Sequence, residues 1–145
     1  MVAARRDQER PFGLVVTGEA ETWLPALEQI VGPRFLVTYQ ADSDNELLEV
    51  VSSGIADAAV LDDAAQWQLD VLQLLRMIRR LDAMLPVVVV TSRRDRRWLE
   101  DALRLAAFSV VTRPLELEEL LRQIAGMMRR LDDLLRGDDG FEGPW

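Results

Sequence analysis

Two adjacent carboxylates, Asp62 and Asp63, are the side chains best placed to do chemistry in this sequence. They close the run 57–63 (Asp-Ala-Ala-Val-Leu-Asp-Asp), which is apolar in its centre and has no helical period. Short apolar runs are typical of strands buried on both faces of a parallel sheet, and ligands of such sheets gather at the carboxyl ends of the strands. The pattern leaves two interpretations open: a functional acid pair, or acids that only cap the next helix or solvate a loop.

The composition narrows the chemistry that these acids can take part in. The 145 residues include no histidine and no cysteine. Imidazole catalysis, a histidine phosphodonor, a thiolate nucleophile and a cysteine-ligated metal are therefore excluded, which leaves carboxylates, hydroxyls and arginines. The net charge of −8 argues against a general binder of nucleic acid or of anionic membranes.

The length suits a single domain with a sizeable core. We expect a disordered tail over residues 1–11, a domain over 12–136 and a flexible tail over 137–145. The start is charged, and no run approaches the roughly 18 apolar residues of a membrane span, so we expect a cytoplasmic protein.

Five strand-like runs alternate with five helical patterns. Thr22 is the predicted N-cap of the first helix, and Ser43 with Glu46 forms a predicted capping box for the second. The last helix is expected over 115–136, about 33 Å long, and should overhang a strand of about 17 Å. Strict alternation predicts a parallel sheet with helices on both faces. The predicted strands are 12–17, 35–39, 57–63, 87–92 and 108–112.

This order resembles the receiver domain of two-component response regulators. Asp62 closes the third strand, Thr91 the fourth, and Arg113-Pro114 follows the fifth. The resemblance covers about residues 12–128, and it implies a three-layer α/β/α sandwich of flavodoxin-like topology with strand order 2-1-3-4-5. The segments that carry it are 57–62, 85–92, 111–115 and 117–121.

The resemblance also implies a set of working residues. The family has an acceptor Asp for a phosphoryl group, two acids after strand 1 that hold Mg²⁺, a hydroxyl after strand 4 and a Lys after strand 5. Asp62 matches the acceptor, with Asp63 as the alternative. Thr91 matches the switch hydroxyl, which in the family hydrogen-bonds a phosphoryl oxygen and carries the signal to the fourth helix.

Two parts of that set are replaced here. Thr17 and Gly18 stand where the family has its two acids, with Glu19 at the next position, and Arg113 stands in place of the Lys. Because Mg²⁺ requires near-octahedral oxygen ligands, Asp62 without these acids would be a weak metal ligand, and we expect no cofactor. The planar guanidinium can instead hold a carboxylate through two hydrogen bonds, so we hypothesise that Arg113 pairs with Asp62 and makes the site structural.

A basic cluster is expected at the start of the fourth helix. Cations there are unfavourable because the helix dipole is positive at its N-terminus. The cluster is either a solvated face neutralised by nearby acids or a docking site for an acidic protein on the helix 4 to helix 5 face, which receivers commonly use. Its members are Arg93, Arg94, Arg96 and Arg97.

The last helix carries an apolar stripe that continues into its expected overhang. We predict a homodimer through the helix 4 to helix 5 face or a short coiled coil, with packing against the protein's own domain as the alternative. The candidate interface residues on this helix are Met128, Leu131 and Leu135.

These features predict an atypical receiver domain that is not an enzyme and signals through protein partners, independently of phosphorylation. No direct nucleic-acid or membrane partner is expected. The alternative is a conventional receiver phosphorylated on Asp62 by a sensor histidine kinase. A remote third interpretation is a flavodoxin-like cofactor-binding domain, because residues 17–22 faintly resemble a flavin phosphate loop, although Glu19 and Glu21 would repel a phosphate.

Overall fold

Five parallel strands form one sheet in the order β2-β1-β3-β4-β5. The computed structural model describes residues 11–18, 22–64 and 67–140, without the side chains of Ala107 and of residues 134–140. The strands are β1 Phe12–Val16, β2 Leu36–Gln40, β3 Ala58–Asp62, β4 Val87–Thr91 and β5 Ala107–Thr112. The helices are α1 Leu24–Val31, α2 Asp44–Ser53, α3 Val71–Leu81, α4 Arg96–Ala106 and α5 Leu117–Gly140.

The sheet is covered on both faces. Alternate residues of a strand point to opposite faces, so each apolar strand contributes to two separate cores. Helices α2, α3 and α4 pack on one core, which contains Val15, Ala59, Leu61, Val87 and Val89. Helices α1 and α5 pack on the other, which contains Leu14, Val16, Ala58, Val60, Val88 and Val90. The predicted sandwich and strand order are thus confirmed.

The start of α1 was placed wrongly by the local pattern. The N-cap is Trp23 rather than Thr22, and it makes no side-chain capping bond. Trp23 is only 5% exposed and belongs to the core under α1, so tertiary packing decides where this helix begins. The prediction that Pro25 lies in the first turn is confirmed.

Of the capping box predicted for α2, only the half made by the Ser43 side chain is present. The Ser43 hydroxyl accepts from the Glu46 amide at 3.1 Å, but the Glu46 carboxylate accepts from the Asp42 amide at 2.7 Å instead of closing the box on Ser43. A complete capping box lies at the start of α3, between Asp70 and Gln73. Helix α3 is therefore held at its first turn, next to the end of β3.

Helix α5 continues to Gly140, past the end expected before Gly137. A single glycine costs a helix only about 1 kcal/mol, so it need not end one. The 24 residues of α5 span about 36 Å. Leu131 lines a cavity together with Leu85 and Pro86, directly before β4, so the residues after Leu131 extend beyond the amino-terminal edge of the sheet. Among the helices of the described residues, none has the length and apolarity needed to cross a bilayer.

Arg79 joins the carboxyl-terminal ends of two helices to the start of β4. Its guanidinium donates to the carbonyl oxygens of Leu105 (2.7 Å), Ala106 (3.1 Å) and Asp82 (3.1 Å), and also to that of Leu85. Burial lowers the pKa of Arg79, while the nearby Asp82 opposes that shift. Carbonyls at the ends of α3 and α4, which have no partner within their own helix, thus accept hydrogen bonds from one cation. The positive charge of Arg79 also complements the negative ends of the two helix dipoles.

We predict that Arg79→Ala lowers the free energy of unfolding by roughly 2–3 kcal/mol, because several carbonyl groups lose a charged donor. Arg76→Ala is the matched control: Arg76 lies one turn earlier on α3, is exposed, and should change stability by less than about 0.5 kcal/mol. Urea unfolding followed by circular dichroism measures both. Equal unfolding midpoints for the two variants would show that the carbonyl contacts contribute nothing.

Candidate functional site

The carboxylate pair lies at the carboxyl edge of the sheet. Asp62 is the last residue of β3 and is 5% exposed, and the Asp63 amide donates to the Val90 carbonyl at 3.0 Å. Parallel strands all end at the same edge, so this arrangement also brings Thr91 from β4 and Arg113 from the residue after β5 to the pair. Four positions separated by up to 51 residues thereby form one cluster.

Arg113 bridges the two acids. One terminal nitrogen of its guanidinium contacts Asp62 Oδ1, and the other donates to Asp63 Oδ1 at 2.8 Å and to Ser92 Oγ at 2.8 Å. The Arg113 side chain is 24% exposed, against 5% for Asp62 and 19% for Asp63. The contact hypothesised between Arg113 and Asp62 is thus present, and Asp63 shares the same cation.

Thr91 connects the acid pair to the loop before α4. Its hydroxyl is fully buried, donates to Asp63 Oδ2 and accepts from the Arg93 amide at 3.0 Å. The backbone of Arg113 is held next to it, because its amide donates to the Thr91 carbonyl at 2.9 Å and its carbonyl accepts from the Arg94 guanidinium at 2.8 Å. The β4–α4 loop is therefore tied to both Asp63 and Arg113.

Thr17 and Gly18 support Asp62 instead of supplying acids. The Thr17 hydroxyl accepts from the Asp62 amide at 3.0 Å, and Thr17 is 2% exposed. Gly18 has φ = 77°, and a Cβ there would lie 2.4 Å from Asp62 Cβ and 3.2 Å from Asp62 Oδ2. Only glycine adopts this backbone conformation readily and leaves that space. Glu19, the remaining candidate of this region, lies outside the described residues.

The described donors do not fit the Mg²⁺ site that the receiver fold implies. Asp62 Oδ1 already accepts from Arg113 and from the Ala64 amide at 2.8 Å, and both oxygens of Asp63 have donors. Within residues 11–18, 22–64 and 67–140, no three acidic, histidine or cysteine side chains lie close enough together to hold a metal ion. A cationic guanidinium beside the same oxygens would also repel the metal.

A cavity of about 310 Å³ opens beside the acid pair. Asp62 and Asp63 line one side, and Trp67 and Trp98 contribute aromatic rings. The Arg93 guanidinium lies 4.7 Å from the centre of the Trp98 ring and also pairs with Asp95, which lowers the pKa of that carboxyl. Because Trp67 lies on the same cavity as Asp62, its fluorescence can report on ligands that reach the acids.

Two of the four arginines of the predicted basic cluster are neutralised by acids of the described residues. Arg93 pairs with Asp95 at 3.0 Å, Arg96 pairs with Glu100 at 3.0 Å, and the remaining pair on α4 joins Arg104 to Asp101 at 2.7 Å. Arg94 is used by the Arg113 carbonyl. Arg97 is exposed, and its side chain makes no hydrogen bond or ion pair with the described residues.

The apolar stripe of α5 folds back on the domain for most of its length. Leu120, Ile124 and Met127 are buried, and Met128 and Leu131 pack partly buried against the same core. The side chain of Leu135 lies outside the described part of the chain. The two described interface candidates therefore already have partners within the domain.

We predict that Gly18→Ala is more destabilising than Gly54→Ala. Both glycines have nearly the same φ, 77° and 80°, but a Cβ at Gly54 meets nothing within 4 Å, whereas at Gly18 it meets Asp62. The shared strain is worth about 1–2 kcal/mol. The contact should add at least about 1 kcal/mol more. Urea unfolding of the two variants measures the difference, and equal losses would mean that Asp62 moves aside freely.

We predict that Arg113→Ala lowers the free energy of unfolding by roughly 2–4 kcal/mol at neutral pH, because it leaves two adjacent, mostly buried carboxylates without a cation. Arg113→Lys should recover only part of the loss, since one ammonium does not reproduce the planar fork. Arg97→Ala is the control for removing an exposed arginine. If Lys restores full stability, charge alone is sufficient and the bridging geometry is irrelevant.

The fold is similar to that of many solved receiver domains. A two-component response regulator from Clostridium difficile is 18% identical, with a TM-score of 0.69 over 83% of this chain and 98% of that one. A CheY-like receiver domain protein from Methanospirillum hungatei JF-1 is 15% identical, with a TM-score of 0.71 over 85% and 98%. A receiver domain protein from Clostridium thermocellum is 19% identical, with a TM-score of 0.70 over 85% and 98%.

No protein-family model and no curated protein sequence matches the chain. The likeness therefore lies in the three-dimensional structure. The sequence identities are low, so the comparison depends on the strand order and on the arrangement of the layers. Together with the sheet order and the position of Asp62 at the end of β3, it shows that the chain has the fold of response-regulator receiver domains.

Proposed function

We propose that the protein is an atypical receiver domain that acts in signal transduction by binding other proteins, without phosphorylation of Asp62. The observation that carries the proposal is the guanidinium of Arg113, which bridges Asp62 and Asp63. In the receiver family the corresponding cation and the acceptor Asp handle a phosphoryl group. Here they are bound to each other.

Phosphoryl transfer to Asp62 would have to break this arrangement. Transfer depends on positioning and on neutralising the charge of the phosphoryl oxygens, which a metal and a cation normally share. Asp62 Oδ1 is occupied by Arg113 and by the Ala64 amide, and Gly18 packs directly against the Asp62 side chain. Among the described residues, the second acid of the site, Asp63, has a donor on each of its oxygens, and the cation of the site, Arg113, is already paired.

We further infer that the carboxylate of Asp63 replaces the phosphoryl group as the anion of the site. Thr91 donates to one of its oxygens and Arg113 to the other. A hydroxyl and a cation on one anion are the contacts that the receiver resemblance assigns to the phosphorylated state. An anion built into the chain would hold the β4–α4 loop in a single arrangement at all times.

The surface between α4 and β5 is the proposed output face. A groove of about 390 Å³ there is lined by Leu99, Leu103 and Val110, and Leu103 is 52% exposed. Arg94 and Arg96 line its rim together with Glu100. Arg96 pairs with Glu100, whereas Arg94 donates, within the described part of the chain, only to the Arg113 carbonyl. An apolar groove beside a cation that no acid of the described residues neutralises favours a protein partner with an apolar anchor and an acidic group that meets Arg94. The homodimer predicted on this face, and a cytoplasmic location, stay predictions.

A conventional receiver is the second candidate function. Its support is the position of Asp62, which ends β3 where the family has its phosphoacceptor. A sensor histidine kinase would then be the upstream partner, and Arg113 would have to move away from Asp62 when a phosphodonor binds. The two candidates differ in whether the protein gains a phosphoryl group.

We predict that the protein is not labelled by a small acyl phosphate in the presence of Mg²⁺. The expected mass gain after incubation is zero, as it is for an Asp62→Asn, Asp63→Asn double variant treated in the same way. The Trp67 fluorescence should likewise not change on Mg²⁺ titration, with Trp67→Phe identifying its share of the signal.

A receiver that has the complete acid set serves as the positive control for the phosphodonor. A gain of one phosphoryl group that disappears in the Asp62→Asn single variant would establish the conventional function. If it disappears only in Asp63→Asn, then Asp63 is the acceptor and its proposed role as a fixed anion is wrong.

A further inference from the structure

A groove runs between α2 and α3, on the sheet face that carries α4 but away from the acid pair. Its volume is about 550 Å³. Apolar side chains, Leu48 from α2 and Met77 and Leu81 from α3, form its floor and walls. The α2 positions on the groove, 45, 48, 49 and 52, recur at the i, i+3, i+4 and i+7 spacing of one helix face.

Exposed apolar side chains are concentrated in the second half of α3 and just after it. Met77, Leu81 and Met84 are 37%, 48% and 71% exposed. They are three of the six large hydrophobic residues that are exposed in the described part of the chain. Met77 and Leu81 line the groove itself, whereas Met84 lies on a neighbouring cavity. Adjacent exposed apolar side chains mark an interaction site better than single ones do, and methionine adapts to the shape of a partner.

The rims of the groove carry opposite charges. Glu49 projects from α2 and Arg80 from α3, and both are exposed. Neither side chain forms a hydrogen bond or an ion pair with the described residues, in contrast to Arg96 and Glu100 beside the α4–β5 groove, which pair with each other. The groove between α2 and α3 thus separates an acid from a base across an apolar strip.

We propose that this groove is a self-association surface that binds a second copy of the same chain. In a twofold dimer both copies use the same patch, so every contact between two residues occurs twice, once in each direction. A twofold axis through the groove therefore places α2 of each copy over α3 of the other. Glu49 of each copy then faces Arg80 of the other, around a shared centre of Leu48, Met77 and Leu81. A patch with one acid and one base is complementary in charge to a second copy of itself. A partner with charges of only one sign would leave either the acid or the base unpaired.

Self-association at this surface would leave the proposed signalling parts accessible. The carboxylate pair with Arg113 lies at the carboxyl edge of the sheet, and the α4–β5 groove has none of its lining residues in common with the α2–α3 groove. The inference therefore does not rest on the proposed function, and each can fail separately.

Charge reversal gives the sharpest test. Glu49→Arg alone places two arginines against each other across the interface, and Arg80→Glu alone places two glutamates against each other, so each variant should weaken the homodimer at least about tenfold. In a heterodimer of the two variants, the arginine introduced at position 49 of one copy faces the glutamate introduced at position 80 of the other, and the native Arg80 of the first faces the native Glu49 of the second. Both charge contacts are then favourable. The heterodimer should therefore form more tightly than either variant homodimer. Sedimentation equilibrium of the full chain, of each variant and of the mixture measures this.

Single cysteines locate the surface independently, since the sequence has none. Because α2 of one copy lies over α3 of the other, we expect an equimolar mixture of Leu48→Cys and Met77→Cys to form a disulfide-linked heterodimer under mild oxidation. Leu103→Cys, on the α4–β5 groove, should form no cross-link. Thermal unfolding of each variant, read by circular dichroism, separates loss of association from loss of folding. Three outcomes would each overturn the proposal: a folded but monomeric protein at high concentration, failure of the charge-reversed variants to rescue each other, or cross-linking of Leu103→Cys with no cross-link between Leu48→Cys and Met77→Cys.

Discussion

The contact of one guanidinium with two neighbouring carboxylates is the interaction on which the carboxyl edge of the sheet depends. Asp62 and Asp63 follow each other in the chain and are 5% and 19% exposed, so water screens their repulsion poorly. Two like charges about 4 Å apart cost on the order of 4 kcal/mol near a protein surface. Arg113 offsets that repulsion because its two terminal nitrogens reach both acids at once. A lysine would supply a single point charge at this position and could not hold both carboxylates in the same planar way.

The residues around this contact fit it closely. The Thr17 hydroxyl holds the end of β3 by accepting a hydrogen bond from the Asp62 amide. Gly18 leaves space for the Asp62 side chain, and the Cβ of any other residue would occupy that space. An acid at position 18 would need a strained backbone and would collide with Asp62, so the site is held by direct contacts between side chains.

Helix α4 is held at both of its ends, by two different arginines. At the start, Thr91 and Arg113 hold the loop before the helix, through the Arg93 amide and the Arg94 guanidinium. At the end, Arg79 holds the carbonyls of Leu105 and Ala106. A helix tied at both ends favours one position over two. These ties are the basis of the proposal that the domain presents a permanent binding surface.

The sequence by itself determined the sheet, the helices on both faces, and the positions of Asp62, Thr91 and Arg113 at strand ends. These follow from the spacing of apolar residues and from strand ends that carry polar side chains, which are local signals. It did not determine that Asp63 shares Arg113 and Thr91, that Thr17 supports the Asp62 backbone, or that Arg79 bonds four carbonyls. Those contacts join residues up to 50 positions apart, and they depend on side-chain directions that only the packed sheet sets. The start of α1 at a buried Trp23 has the same cause, because burial in the core outweighed the capping preference of Thr22.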